Sequence, residues 1–118
     1  MLKKFFLFSF LTLFSSEAAE VNYKVEIAHL LVYVKNTSCK YIRNGEAHDG
    51  VAAAQHIKKK YDYYKDDIHT AEEFIRFSAT KSTVSDSKYF IECSGSAKVE
   101  SAQWLLAELD RYRKKEKR

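Results

Sequence analysis

The chain has 118 residues, with 20 Lys and Arg against 16 Asp and Glu, no proline, three glycines and two cysteines. That length sets a single domain with one modest core as the default. Scarce glycine and absent proline leave no Pro/Gly-rich linker to divide the chain.

The net charge of +4 is unevenly spread. Residues 111–118 hold six basic groups and one acidic group, whereas residues 19–110 hold 12 basic and 14 acidic. Only the C-terminal stretch is basic. Nucleic-acid binding needs clustered positive charge on a folded face, so no nucleic-acid partner is expected.

Met1-Leu2-Lys3-Lys4 leads into an apolar run from Phe5 to Phe14 that closes on Ser15-Ser16-Glu17-Ala18-Ala19. A basic start, a short apolar stretch and small residues at the end form an export signal, with the cut expected after Ala18. The run is about half the length of a membrane-spanning helix, so no stable membrane insertion is expected once it is removed. No Cys follows to carry a lipid. The expected organisation is a signal peptide, residues 1–18, and one mature domain, residues 19–118, with a basic tail at 111–118. Its expected location is the periplasm, with secretion as the alternative.

Residues Glu20 to Lys35 place Val21, Val25, Ala28 and Val32 at helical steps, with Leu31 beside them, which predicts an amphipathic helix buried along that stripe. Cys39 to Arg43 is short and rich in strand formers, and Asn44-Gly45 stops it with a turn signal. Asp49 is placed to cap a helix over Val51–Tyr64, whose apolar face carries Ala53, Ile57, Tyr61 and Tyr64. Thr70-Ala71-Glu72-Glu73 is a capping box that opens a third helix bearing Phe74, Ile75 and Ala79. After a polar loop, Lys88–Cys93 reads as a second strand stopped by Ser94-Gly95. A last helix from Lys98 to Tyr112 lines up Ala102, Leu105, Leu109 and Tyr112, with Trp104 at its flank. The order α-β-α-α-β-α predicts an α+β fold, four helices packed around a two-stranded antiparallel ribbon.

Cys39 and Cys93 remain after processing, and an even pair in a small exported domain reads as a disulfide. A bridge closing about 55 residues contributes roughly 4 kcal/mol in the chain-entropy account. It requires an antiparallel ribbon with Tyr41 opposite Ile91 and Ile42 opposite Phe90, because a parallel pair would hold the sulfurs at opposite ends.

Several segments form an ordered set: Tyr41-Ile42-Arg43-Asn44-Gly45, Ala53-Ala54-Gln55-His56-Ile57 with Lys60, Thr70-Ala71-Glu72-Glu73-Phe74-Ile75, then Ser82, Ser85, Tyr89 and Trp104-Leu105. The set resembles the YfeK-like family of small exported bacterial proteins, a domain of unknown function, over most of residues 39–109. This chain has Asp86 where the family pattern usually carries Gly. The resemblance implies a bacterial, periplasmic protein and no particular activity.

His56 and Lys60 stand four apart and share a helix face. With Arg43 and Asn44 at the strand end they form the candidate binding site, a cationic pocket for a carboxylate or phosphate. The plain alternative is that these residues only pack, solvate and turn. Glu26 and His29 supply one Glu-x-x-His where di-metal bundles need two, and no other metal-ligand spacing is present. His48 and His69 fall in expected loops. No Gly-x-Ser-x-Gly or Ser-x-x-Lys motif surrounds Ser82, Ser85 or Ser94, so no catalytic residue, cofactor or metal is assigned. The aromatic run Tyr61-Asp62-Tyr63-Tyr64 leaves Tyr63 facing outward. The expected function is a non-catalytic binding module for an envelope protein or a small anionic ligand. An envelope hydrolase using His56 and a loop serine is one alternative, and attachment of the basic tail to an anionic surface is the other.

Overall fold

The structure, a computed structural model, describes residues 22–117. The expected signal peptide and Val21 lie outside the described residues. Helix α1 covers residues 22–35. Strands β1 (Lys40–Arg43) and β2 (Glu46–His48) precede α2 (Gly50–Tyr64), a short 3-10 turn (Lys65–Asp67) and α3 (Ala71–Ser78). Strands β3 (Phe90–Glu92) and β4 (Val99–Glu100) lead into α4 (Ser101–Glu116). The fold is α+β.

The expected two-stranded ribbon is the centre of a larger sheet. Four antiparallel strands stand in the order β2-β1-β3-β4. Asn44 and Gly45 both take left-handed backbone, φ 51° and 79°, which turns the chain back into β2 instead of ending the strand. Two such residues match the right-handed twist of the flanking strands, which is why Asn-Gly favours a tight hairpin. On the other side, the turn containing Gly95 (φ 77°) returns the chain to β4. Residues Val99 and Glu100, expected to be helical, pair instead with Ile91 and Phe90. The two outer strands escape a hydrophobic pattern because they are two and three residues long and mostly exposed.

The central register is the one that the cysteine pair requires. Lys40 faces Glu92, Tyr41 faces Ile91 and Ile42 faces Phe90. The Cys39–Cys93 disulfide closes one end of the pair. Strand alternation then sends Tyr41, Tyr89 and Ile91 into the helices, where each is 2% exposed or less. Tyr41 reaches furthest: its hydroxyl bonds Ser101 Oγ at the start of α4 and lies 3.4 Å from the Ala79 carbonyl. The Ser101 amide donates to the Tyr89 carbonyl at 2.9 Å, so α4 starts pinned to the sheet.

Helix α1 buries a different stripe from the expected one. Ile27, Leu30 and Val34 enter the core, whereas Val25 and Val32 are 46% and 55% exposed. Both sets have helical spacing, and the bulkier residues with more surface to remove from water take the inner face. Helix α2 is capped as expected, Asp49 Oδ1 accepting from the Ala52 amide at 2.9 Å. It buries Ala53 and Ile57, with Tyr61 and Tyr64 half-buried. Thr70 Oγ1 accepts from the Glu73 amide at 3.0 Å, and Glu73 Oε1 reaches back to the amide of His69 at 2.8 Å. Phe74, Ile75, Ala79, Leu105 and Leu109 complete the core.

The basic stretch continues the last helix. Residues 111–116 are the last turns of α4. Arg111 pairs with Glu108 at 2.9 Å, Arg113 with Glu26 at 2.7 Å, and Lys114 with Asp110 at 2.9 Å. His29 likewise serves the α1–α4 seam, bonding Glu108 Oε2 at 2.7 Å and stacking on Tyr112.

Candidate functional site

Alternation along β1 puts Arg43 on the same side as Tyr41, toward α2 and just past the last core position. His48 joins that side because it is the cross-strand partner of Tyr41. It lies in β2, not in a loop as its sequence surroundings predict. Across from them, α2 presents His56, Lys59 and Lys60 within one turn. Arg43, Gln55, His56, Lys58, Lys59 and Asp62 line an open cleft of about 430 Å³.

Tyr89, 1% exposed, is buried behind His56 and Lys60. Its hydroxyl lies 3.1 Å from His56 Nε2 and 3.4 Å from Lys60 Nζ. Lys60 also donates to the Lys81 carbonyl at 2.7 Å and stands 5.1 Å from the centre of the Tyr89 ring. Its ammonium group is thus anchored rather than freely solvated.

The electrostatics follow from this crowding. Burial pushes the His56 imidazole down to about 4, and Arg43, Lys60, His48 and Lys59 add to the shift. The ring is therefore neutral at pH 7. Burial, then Arg43, also holds Lys60 below the usual lysine range. Burial raises Tyr89, and Arg43 opposes that rise. Among the described residues no carboxylate pairs with Arg43, Lys59 or Lys60. The neighbouring lysines are paired, Lys58 with Asp62 at 3.1 Å, Lys81 with Asp86 at 2.7 Å and Lys88 with Glu100 at 2.8 Å. Asp62, the carboxylate in the cleft lining, is taken by Lys58, which leaves Arg43 and Lys59 there without an ion-pair partner among the described residues.

Of the four residues assigned from sequence, Arg43, His56 and Lys60 lie in one neighbourhood. Asn44 does not line the cleft. Its left-handed backbone makes the hairpin and its Oδ1 accepts from Ser85 Oγ at 2.6 Å, tying the turn to the 82–87 loop. Asp86, at the position where glycine is usual in the resembling family, takes φ 62° and pairs with Lys81. Aspartate tolerates that backbone better than most residues. Lys59, His48 and Tyr89 were not singled out for this site by sequence. Lys59 was accessible through its three-residue step from His56, but His48 and Tyr89 arrive only through the sheet. The loop serines are otherwise engaged: Ser82 Oγ accepts from the Ser85 amide at 3.2 Å, and Ser85 Oγ bonds Asn44. No group of three or more potential metal-ligating side chains occurs among the described residues.

Residues 21–113 match the family described as "Family of unknown function (DUF5329)". The chain belongs to this family. No curated protein and no solved structure matches the chain. Membership covers all four strands and the greater part of the helices, so the cationic cleft lies wholly within the matched region. No helix among the described residues is long and apolar enough to cross a membrane.

Proposed function

We propose that this protein is an exported, periplasmic, YfeK-like module that binds a small anionic ligand without transforming it. The carrying observation is the set of cations that no carboxylate pairs, Arg43, Lys59 and Lys60, around a neutral His56, with Arg43 and Lys59 lining the open cleft beside it. Arg43 offers a fork for a carboxylate or phosphate, Lys59 and Lys60 add point charge, and His56 donates or accepts one further bond. The bound anion supplies counter-charge to the cations that no carboxylate pairs. Export is supported by the basic-apolar-small N-terminal pattern together with the Cys39–Cys93 disulfide.

An envelope hydrolase has weaker support. That reading needs a loop serine hydroxyl at hydrogen-bond reach of His56, and His56 Nε2 bonds the buried Tyr89 hydroxyl instead. Attachment through the basic tail is weakened by the ion pairs that occupy Arg111, Arg113 and Lys114.

Titration of the oxidised protein with inorganic phosphate, read by nuclear magnetic resonance of the His56 ring, tests the proposal. The His56 signals should shift on saturation and its titration midpoint should rise, because a bound anion favours the imidazolium. Arg43→Ala should weaken phosphate about tenfold while changing stability little, because Arg43 is only half-buried and pairs with no carboxylate among the described residues. If phosphate and acetate leave the His56 and Arg43 signals untouched, the proposal fails.

A further inference from the structure

We infer that the cationic cleft and an aromatic cleft beside it form one composite site for an acidic saccharide, its acid group at Arg43 and Lys59 and a pyranose ring on Tyr63 and Tyr64. The inference rests on the anion-binding reading above and specifies the rest of the ligand.

The second cleft, about 320 Å³, is lined by His56, Lys59, Lys60, Tyr63, Tyr64 and Thr83. His56 and Lys59 line the first cleft as well, so the two share a wall. The cause is helical spacing. His56, Lys59, Lys60 and Tyr63 occupy successive turns of one α2 face, and the seven-residue step from His56 to Tyr63 covers about 10 Å. That is a span for a short oligosaccharide rather than for a bare anion.

The chemistry changes along this line. At the Arg43 end the walls are net cationic, Arg43 and Lys59 without an ion-pair partner among the described residues and Lys58 neutralised by Asp62. At the Tyr63 end they are aromatic, and Tyr63 is 81% exposed. The ring of Tyr63 meets that of Tyr64 edge-on, centroids 4.8 Å apart and planes at 82°, which makes a corner with two apolar walls. Tyr64 is fixed from behind by stacking on Phe77 at 5.6 Å. Its hydroxyl lies 3.5 Å from Thr83 Oγ1, and these hydroxyls with the Lys59 and Lys60 ammonium groups rim the corner. Apolar faces bordered by hydroxyl and ammonium groups match a pyranose, which has an apolar C–H face and a rim of hydroxyls. Tyrosines provide such contact area with little side-chain freedom to lose. An extended peptide is less well served, because the lining residues come from α2 and the Thr83 loop and none offers a strand edge.

The test is calorimetric titration of the oxidised protein with trigalacturonate, glucose 6-phosphate, neutral maltotriose and inorganic phosphate. An acidic sugar should bind more tightly than inorganic phosphate. Tyr63→Ala should weaken that sugar about fivefold, the equivalent of one aromatic contact, and leave phosphate unchanged. Tyr63→Phe, which keeps the ring, should retain the affinity. Arg43→Gln should weaken both. Binding of either acidic sugar in this pattern supports the composite site, and the tighter of the two identifies the acid group as carboxylate or phosphate. Phosphate binding with acidic-sugar affinity indifferent to Tyr63→Ala would overturn the composite site while leaving the anion reading intact. Maltotriose binding as tightly as trigalacturonate would overturn it too. Failure of every anion to bind would remove the anion reading and this inference together.

Discussion

Arg113 of α4 grips Glu26 of α1 by two parallel bonds, Nε to Oε2 at 2.7 Å and Nη2 to Oε1 at 3.0 Å. The same guanidinium reaches Glu72 of α3 at 2.7 and 3.0 Å. One side chain in the basic stretch therefore ties three helices together. A planar fork is needed for this, and a lysine ammonium group cannot reproduce it.

Arg113→Met should accordingly destabilise the domain by about 2 kcal/mol, because Glu26, whose side chain is 12% exposed, loses its charged partner. Arg113→Lys should recover only part of that loss. Urea unfolding measures both, and phosphate affinity at the cleft should be unaffected.

His56 should give the folding free energy a pH dependence of definite sign. Its folded value of about 4 lies below its ordinary 6.5. Above 6.5 both folded and unfolded chains hold the ring neutral and the group has no effect. As pH falls from 6.5 toward 4, the unfolded chain takes up a proton that the folded one refuses, so stability drops. His56→Gln should flatten this part of the profile. Denaturant unfolding across pH 4 to 7 provides the measurement, and an unchanged slope would mean that His56 titrates normally in the fold.

Reduction of Cys39–Cys93 should cost roughly 4 kcal/mol in the chain-entropy account, with a separation of 54 residues across the bridge. Non-reducing peptide mapping of protein made in an oxidising compartment should find this pair linked and no free thiol. The Cys39→Ser, Cys93→Ser double variant should show a correspondingly lower unfolding midpoint.

Gly50→Ala should destabilise the domain although Gly50 is helical and alanine is the better helix former. A Cβ there would stand 2.8 Å from the Lys35 carbonyl oxygen and 3.1 Å from that of Thr37, and closer still to that of Val34. The end of α1 crosses the start of α2 at this point with no room for a side chain. Forced movement of packed backbone costs about 1–3 kcal/mol, measurable by thermal unfolding.

Much of this molecule is encoded locally. Asp49 and Thr70 cap the helices they were expected to cap, because a side-chain oxygen next to orphan amides needs no distant partner. Ala53 and Ile57, Leu105 and Leu109 bury the faces that their spacing predicts, and the cysteine pair implies the central register because a disulfide tolerates so little separation. Tertiary packing decided what local pattern left open. The choice in α1 between the Val25-Val32 stripe and Ile27, Leu30 and Val34 depended on which face met the core. The outer strands β2 and β4 are too short to show an alternation, and they exist because β1 and β3 present edges for them to pair with. The cleft was half-legible: His56 and Lys60 share a face by helical geometry alone, whereas Arg43, His48 and Tyr89 reach them only when the sheet turns its inner side toward α2. Their shared electrostatics, a neutral histidine among uncompensated cations, come from burial and proximity across some 46 residues of chain between Arg43 and Tyr89, which sequence neighbours cannot express.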